Sequence, residues 1–167
     1  MSAKGACEVA ARFLAHRMRT VNEMRDHLEE KGFSKSEADA VIEEYEDLGY
    51  LDDAEYAKVY VEYACTKKRG RRRIERELKE RGIDREIAEN AVEDYIYENG
   101  VDEYEDALAI ARGAANQRIG DDGNMTLSQR EIGRIMRKLD RRGYGHGDII
   151  KVIETLKGEM CGQIRKD

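Results

Sequence analysis

The amino-acid sequence predicts an all-α fold, built as three tandem three-helix repeats that form an elongated, curved array. Proline is absent from the 167 residues, and the residue types that favour helices are frequent. Apolar residues recur at intervals of three and four positions, the spacing of one buried helical face. One pattern of apolar residues around a glycine occurs three times, which is typical of arrays of small helical units.

A turn glycine marks each copy of the pattern. Gly32, Gly82 and Gly143 are 50 and then 61 residues apart, so eleven extra residues separate the last two copies. An apolar residue lies four positions before each glycine, and another directly follows it. These pairs are Leu28 and Phe33, Leu78 and Ile83, and Leu139 and Tyr144. Each turn is therefore predicted to end a helix at a left-handed glycine, with an apolar contact across the turn.

The elements follow from this alignment. Each repeat begins with a helix whose apolar face is Ala10, Phe13 and Leu14 in the first copy, Tyr56, Val59, Tyr60 and Tyr63 in the second, and Tyr104, Leu108, Ala111 and Ala115 in the third. The second and third helices lie before and after the turn glycine. We expect nine helices in three repeats, at about residues 3–48, 52–98 and 102–159, with a flexible loop at residues 120–124.

Helix starts carry their own signal. Four residues that favour the N-cap position precede a glutamate by three positions, namely Thr20, Ser34, Asp52 and Ser128. Asp52 and Asp53 are adjacent and could instead bind a metal ion. A hard cation needs several convergent oxygen ligands, however, and no third ligand is marked. We therefore expect one of the two aspartates to cap the helix.

Charge is segregated along the chain, although the net charge is only −6. Residues 67–81 carry a net charge of +6 and residues 130–142 carry +4, whereas residues 37–58 carry −8 and residues 84–106 carry −9. Local charged patches of this kind influence which partner a protein binds more than its net charge does. The acidic total argues against a protein that coats DNA nonspecifically.

Two helices are expected to present basic stripes that point away from their apolar faces. The stripes are Arg69, Arg72, Arg76 and Lys79 in the second repeat, and Arg130, Arg134, Arg137 and Arg141 in the third. The functional interpretation is contact with an anionic partner, either a phosphate backbone or an acidic protein groove. The alternative is a plain solvated surface, balanced by the acidic third helices.

No residues are predicted to be catalytic, to bind a cofactor or to hold a metal ion, so the chain is not expected to be an enzyme. No nucleophile and base stand out as a pair, and the glycines lack the phosphate-loop pattern. Cys7, Cys65 and Cys161 are far apart, which suits a reducing compartment. We expect Cys65 to be a plain packed thiol; the alternative is a lowered pKa caused by the basic run near it. Without a signal segment or a membrane helix in the sequence, we expect a cytoplasmic protein.

Two motifs at a set spacing occupy the central part of the chain. Gly49-Tyr50-Leu51-Asp52-Asp53-x-x-Tyr56-Ala57 is followed by Lys68-x-Gly70-x-x-x-Ile74-x-x-x-Leu78-x-x-x-Gly82-Ile83. Upstream lies Met24-x-x-x-Leu28-x-x-x-Gly32-Phe33. Together they resemble the bacterial RecX family of regulatory proteins. The resemblance covers about residues 7–98, and the repeat extends it to about residue 157.

The resemblance implies a modulator of the recombinase RecA. Proteins of this family bind the RecA filament on single-stranded DNA, in or along its groove, and restrain filament growth, ATP hydrolysis, strand exchange and the SOS response. We expect a monomer without membrane contact, whose basic stripes touch the filament or, weakly, single-stranded or duplex DNA. The Gly49–Ala57 segment is expected to set the geometry between the first two repeats.

Two other functions stay open. One is an independent DNA-binding module, because three-helix units with a basic second helix resemble helix-turn-helix packing. The other is a structural helical adaptor for a different acidic partner.

Overall fold

The computed structural model describes residues 3–115 and 127–162, and within them it contains helices and no strand. The helices are α1 (Ala3–Leu14), α2 (Val21–Glu30), α3 (Lys35–Asp47), α4 (Asp53–Thr66), α5 (Arg71–Glu80), α6 (Arg85–Asn99), α7 (Glu103–Ala114), α8 (Gln129–Arg142) and α9 (His146–Gly162). The predicted all-α class is confirmed. The loop predicted at residues 120–124 lies outside the described residues. None of the described helices combines the length and the hydropathy that a membrane span requires.

Side-chain caps begin four of these helices at the positions that the sequence marks. In each, an oxygen of the capping side chain accepts a hydrogen bond from the amide three residues later, at 2.9–3.3 Å. The capping residues are Thr20, Ser34, Asp52 and Ser128. The caps of α3 and α8 are complete capping boxes, because the glutamate also accepts a bond from the capping residue's amide.

The three turn glycines have the left-handed conformation, with φ of +88° at Gly32, +80° at Gly82 and +91° at Gly143. At each turn, the amide after the glycine donates to the carbonyl of the leucine four residues before the glycine, at 3.1–3.3 Å. The glycine amide itself donates to the carbonyl of the residue three positions before it, at 2.9 Å in all three turns. This bond pair is the Schellman motif, and it closes the end of the second helix of each repeat.

The core face of α4 differs from the prediction. The structure buries Ala57, Val61 and Ala64, whereas Val59 and Tyr63 are 46% and 50% exposed. Small residues allow the helix backbone to approach its neighbours closely, which long tyrosine side chains would prevent. Small residues also form the buried faces of α1, with Ala6 and Ala10, and of α7, with Ala107 and Ala111.

Contacts divide the chain into two compact units. Unit 1 comprises Met1–Tyr63 and Glu75–Tyr95, and unit 2 comprises Ala64–Ile74 and Ile96–Asp167. The three repeats at about residues 3–48, 52–98 and 102–159 stay a prediction.

One buried apolar cluster of unit 1 is formed by α1, α2 and α3, together with Leu51. Its largest fully buried side chains include Met24, Leu28 and Leu51, with Phe33 and Tyr45 also buried. The Tyr45 hydroxyl donates to the carbonyl of Cys7 at 3.0 Å, so the polar end of this core residue is satisfied.

The core of unit 2 is formed by α7, α8 and α9. Ile135, Leu139, Tyr144 and Val152 are fully buried within it. The Tyr144 hydroxyl donates to the carbonyl of Lys68 at 3.1 Å, which ties this core to the end of α4. Burial raises the pKa of the Tyr144 hydroxyl, and it therefore stays a hydrogen-bond donor.

Candidate partner-binding surface

Helix α5 presents three of its four predicted cations to solvent. Arg72, Arg76 and Lys79 are exposed. Arg69 precedes the helix, is partly buried, and donates its amide to the carbonyl of Ala64 at 3.1 Å. The prediction that Arg69 projects from the helix with the others is therefore wrong, because α5 begins only at Arg71.

The exposed cations of α5 have weak local partners. Arg72 lies 3.8 Å from a carboxylate oxygen of Asp140, and Arg76 lies 3.8 Å from one of Glu80. All four of these side chains are at least 60% exposed. Exposed ion pairs contribute about 0–1 kcal/mol, so an external anion can displace them at little cost. We call Arg72, Arg76 and Lys79 the α5 stripe.

Helix α8 presents all four of its predicted cations to solvent. We call Arg130, Arg134, Arg137 and Arg141 the α8 stripe, and each is exposed. Arg134 donates to the carbonyl of Ala114 at 2.7 Å, and Arg141 donates to the carbonyl of Arg137 at 3.2 Å. Among the carboxylates of residues 3–115 and 127–162, none forms an ion pair with this stripe.

The equivalent helix of the first repeat has no such stripe. Arg25 on α2 pairs with Asp39 on α3, with 3.2 Å between nitrogen and oxygen. The remaining charges of α2 include Glu23, Asp26 and Glu29. Among the described second helices, the predicted basic stripes thus lie on α5 and α8 and not on α2.

A pair of hydrogen bonds inside unit 1 ties α2 to residues of the second repeat. The Val21 amide, at the start of α2, donates to Asp53 Oδ1 at 2.9 Å. The Thr20 hydroxyl donates to the carbonyl of Arg81 at 2.7 Å, directly before a turn glycine. That glycine, Gly82, lies so close to the Asn22 side chain that no Cβ would fit.

The same arrangement recurs inside unit 2. The Arg71 amide, at the start of α5, donates to Glu103 Oε1 at 2.6 Å. The Gly70 amide donates to the carbonyl of Arg142 at 2.8 Å, again directly before a turn glycine. A Cβ on that glycine, Gly143, would overlap the backbone of Arg73. The first residue of α4 or α7 therefore caps the middle helix of the preceding repeat in both units.

The Gly49–Ala57 segment combines a turn, a core residue and two aspartates with different roles. Gly49 has a φ of +71°, Leu51 is buried, and Tyr50 is 65% exposed. Asp52 caps α4 through the amide of Glu55, whereas Asp53 accepts the bond from α2. Tyr56 lies beside Tyr60 on the outer side of α4, with ring centroids 6.4 Å apart.

Burial raises the pKa of the Asp53 carboxyl, and the bond from the Val21 amide opposes that shift. The neighbouring carboxylates of Asp52 and Glu23 act in the same direction as burial. The position therefore requires a hydrogen-bond acceptor more than it requires a negative charge.

Two features of the structure were missed from the sequence. Lys68 has a φ of +53°, unusual for a residue with a side chain, and ends α4 where the other turns use glycine. Its side chain pairs with Asp106, and its carbonyl accepts bonds from the Arg142 guanidinium and the Tyr144 hydroxyl. The second feature is the recurring bond pair, which joins residues 32 positions apart and has no local sequence signal.

The Cys65 thiol is not activated by the basic run near it. Burial raises its pKa to about 11, and Glu103 and Asp106 add to that effect more than Lys68 opposes it. The hypothesis of a lowered pKa is therefore wrong, because the acidic start of α7 lies closer in space than the sequence suggests. Across residues 3–115 and 127–162, no cluster of His, Cys, Asp and Glu could hold a metal ion.

Comparisons with known proteins agree with this description. Residues 6–44 match the family model "RecX, first three-helix domain", and residues 52–92 match "RecX, second three-helix domain". A Regulatory protein RecX from Lactobacillus delbrueckii subsp. bulgaricus is 38% identical over 78 residues, which cover 46% of this chain and 29% of that relative. One from Listeria welshimeri is 36% identical over 74 residues, covering 44% and 28%. The matched segment thus spans less than a third of each relative.

Solved structures extend the likeness beyond these segments. The crystal structure of RecX from Lactobacillus salivarius superposes with a TM-score of 0.75 at 24% identity, covering 92% of this chain and 96% of that one. A second crystal structure, of regulatory protein RecX, gives a TM-score of 0.72 at 19% identity, covering 92% and 71%. At these identities the likeness establishes a shared fold.

Proposed function

Because this chain belongs to the RecX family, we propose that it binds the filament that the recombinase RecA forms on single-stranded DNA, and that it restrains the activity of that filament. In this proposal the chain acts in the cytoplasm as a regulatory protein, without chemistry of its own. The relatives it matches are named regulatory proteins.

The exposed arginines of the α8 stripe are the observation that carries the proposal. Four cations on one helix face, without an ion pair among the described residues, are costly to keep together unless an anion neutralises them. The α5 stripe repeats this feature with weak, solvent-exposed pairs. Both stripes would bind acidic surfaces of filament subunits, or the phosphates between them.

A filament offers the same binding surface many times, and this favours a protein with several basic faces. Each cation contributes little alone, but linked contacts raise the overall affinity through the high effective concentration of the second site. Bound across neighbouring subunits, the chain would hinder the addition of new ones and the cycle of ATP hydrolysis.

The test is the ATPase activity of RecA on single-stranded DNA, measured while the chain is titrated. We expect inhibition at amounts well below one chain per RecA subunit, because one bound chain affects several neighbours. If a molar excess of folded chain leaves the ATPase rate of active RecA unchanged, the proposal is wrong.

A charge-reversal pair tests the role of the α5 stripe. We expect Arg72→Glu with Arg76→Glu to weaken the inhibition at least tenfold, because two attractive contacts become repulsive. Lys151→Glu with Lys157→Glu is the matched control, since it changes the net charge equally at two exposed cations of α9. Circular dichroism should show equal helicity in both variants. If both double variants lose inhibition to the same extent, the change in net charge explains the loss, and a specific role for the α5 stripe is rejected.

An independent DNA-binding module is the alternative that the same arginines allow. It requires tight binding to duplex DNA without RecA, with an affinity that falls steeply as salt rises. We expect little retardation of duplex DNA by the chain at physiological salt, because the net charge of −6 opposes it.

A further inference from the structure

Helix α4 carries a second apolar stripe that the core does not use. The stripe consists of Tyr56, Val59, Tyr60 and Tyr63, at intervals of three and four residues, and lies within unit 1. Val59 and Tyr63 are 46% and 50% exposed, and Tyr56 and Tyr60 are partly exposed. We call these four residues the tyrosine stripe. Contiguous apolar surface of this kind on a charged protein is typical of an interaction site.

The rings of the tyrosine stripe are held in place before any partner arrives. Tyr56 and Tyr60 have nearly parallel rings, 10° apart, and Tyr60 and Tyr63 have centroids 6.4 Å apart. The Tyr60 hydroxyl donates to Glu77 Oε2 at 2.7 Å. Fixed aromatic side chains lose little entropy on binding, and tyrosine is enriched at the energetic centres of interfaces.

The tyrosine stripe borders one cation, Arg81, which directly follows α5. The Arg81 guanidinium lies 4.6 Å from the centroid of the Tyr60 ring and donates to the carbonyl of Glu77 at 2.8 Å. An apolar strip beside a partly exposed cation has the anatomy of a protein interface, with an apolar centre and a charged rim.

The other border of the tyrosine stripe favours a protein partner over a nucleic acid. Glu55 and Glu62 are exposed on α4, and the helical step places them next to Val59, on the side opposite to Tyr60, with a single exposed cation, Lys58, beside them. Surfaces that stack bases of a single strand combine aromatic rings with a basic groove, and carboxylates along one edge would repel the phosphates. A protein surface can offer apolar residues to the tyrosine stripe, acidic residues to its basic border and basic residues to its acidic border.

We propose that the tyrosine stripe is the apolar centre of the contact with a RecA subunit, and that Arg81 lies at its charged rim. This inference rests on the proposed function and names a surface for it. The apolar centre determines how long the complex lasts, because desolvated contacts govern dissociation. The rim determines the association rate and its dependence on salt.

The test compares Val59→Gln with Ile150→Gln in the full chain. Ile150 is an exposed β-branched residue on α9, 41% exposed against 46% for Val59, so the two substitutions have similar structural cost. Binding is measured by biolayer interferometry on RecA filaments assembled on an immobilised oligonucleotide, over a range of salt concentrations. We expect Val59→Gln to raise the dissociation rate about tenfold without changing the salt dependence, since it removes the burial of one apolar side chain. Ile150→Gln should bind like the unmodified chain.

Three outcomes would contradict the inference, and they are distinguishable. If the unmodified chain does not bind the filament, the proposed function fails and this surface assignment fails with it. If the unmodified chain binds and Val59→Gln binds equally well, only the inference is wrong. If Val59→Gln instead weakens binding to bare single-stranded DNA while filament binding persists, the stripe is a base-stacking surface. Tyr63→Ala, checked for helicity by circular dichroism, should repeat the result of Val59→Gln.

Discussion

Asp53 illustrates how a single side chain can serve as a cap for a distant helix. It begins α4, yet its carboxylate accepts a bond from the first amide of α2. Glu103 does the same for α5 from the start of α7. An unsatisfied buried amide costs about 1–3 kcal/mol, so the acceptor matters to stability whatever its charge.

Replacing Asp53 separates the roles of acceptor and charge. We expect Asp53→Ala to lower the free energy of unfolding by about 1–2 kcal/mol, because the Val21 amide loses its acceptor. Asp53→Asn keeps an acceptor oxygen and should be close to neutral at pH 7. Urea denaturation of both variants measures the difference, and equal losses would show that the charge, rather than the bond, stabilises the fold.

The pH dependence of the Asp53→Asn variant follows from the raised pKa of Asp53 in the unmodified chain. The folded protein retains this proton at pH values where the unfolded chain has released it. The contribution of Asp53 to stability is therefore complete below the ordinary pKa of about 3.9, and declines as pH rises through the raised value. Asp53→Asn should gain stability relative to the unmodified chain between about pH 4 and pH 7. If Asp53→Asn instead loses stability relative to the unmodified chain over that pH range, the hydrogen bond from the Val21 amide lowers the pKa of Asp53 more than burial raises it.

Cys65 should react slowly with alkylating reagents. Its pKa of about 11 leaves little thiolate at pH 8, so iodoacetamide should label it about a hundredfold more slowly in the folded than in the unfolded chain. The measurement is mass spectrometry on a Cys7→Ser, Cys161→Ser variant, with and without denaturant. Fast labelling of the folded variant at pH 7 would instead indicate a thiolate stabilised by the neighbouring cations.

At the scale of elements, the helix ends were predictable because their signals are local. A capping residue and its glutamate are three positions apart, and a turn glycine and its leucine are four apart. Both interactions form inside one or two helical turns, so the sequence spacing fixes the geometry. The end of α4 at Lys68 was missed because a lysine there gives no signal for a left-handed residue.

The face of α4 could not be predicted from periodicity. Ala57, Val61 and Ala64 fit a helical stripe, and so do the four residues of the tyrosine stripe. Hydrophobicity favoured the larger residues, whereas close helix packing selects the smaller ones. The exposure of the α5 and α8 stripes was predictable, because each lies opposite an unambiguous apolar face. The bonds made by Asp53 and Glu103 depend on tertiary placement and could not be inferred.

Two turn glycines should respond differently to substitution. We expect Gly143→Ala to lower the free energy of unfolding by several kcal/mol, because its Cβ would overlap the backbone of Arg73. Gly49→Ala has the same left-handed strain but open space around the Cβ, so it should cost only about 1–2 kcal/mol. Chemical denaturation measures both values. Similar losses would show that conformation alone, without the close approach, determines the cost.

At the scale of the whole molecule, the segregation of charge matters more than the net charge of −6. Acidic residues predominate on α3 and α6, whereas α5 and α8 each carry a row of exposed cations on one face. A protein of this kind stays soluble through its overall charge and still offers positive faces to an acidic partner.

The two stripes should contribute independently to filament binding. Arg76 pairs with Glu80, and Arg134 donates to the Ala114 carbonyl, so the two share no partner among the described residues. The losses in binding free energy from Arg76→Gln and Arg134→Gln should therefore add in the double variant within about 0.5 kcal/mol. Filament affinity at fixed salt measures this, and a double variant no weaker than either single one would show that losing one stripe already removes the contribution of the other.

The bond between the Val21 amide and Asp53 also has a consequence during synthesis. The ribosome makes the donor 32 residues before the acceptor, and the same interval separates Arg71 from Glu103. At about 5–20 residues per second, each amide waits roughly two to six seconds for its acceptor. A nascent α2 is thus already capped by Thr20 at the Glu23 amide, but its Val21 amide stays unpaired until the following repeat is translated. A chain released early would keep that amide unpaired.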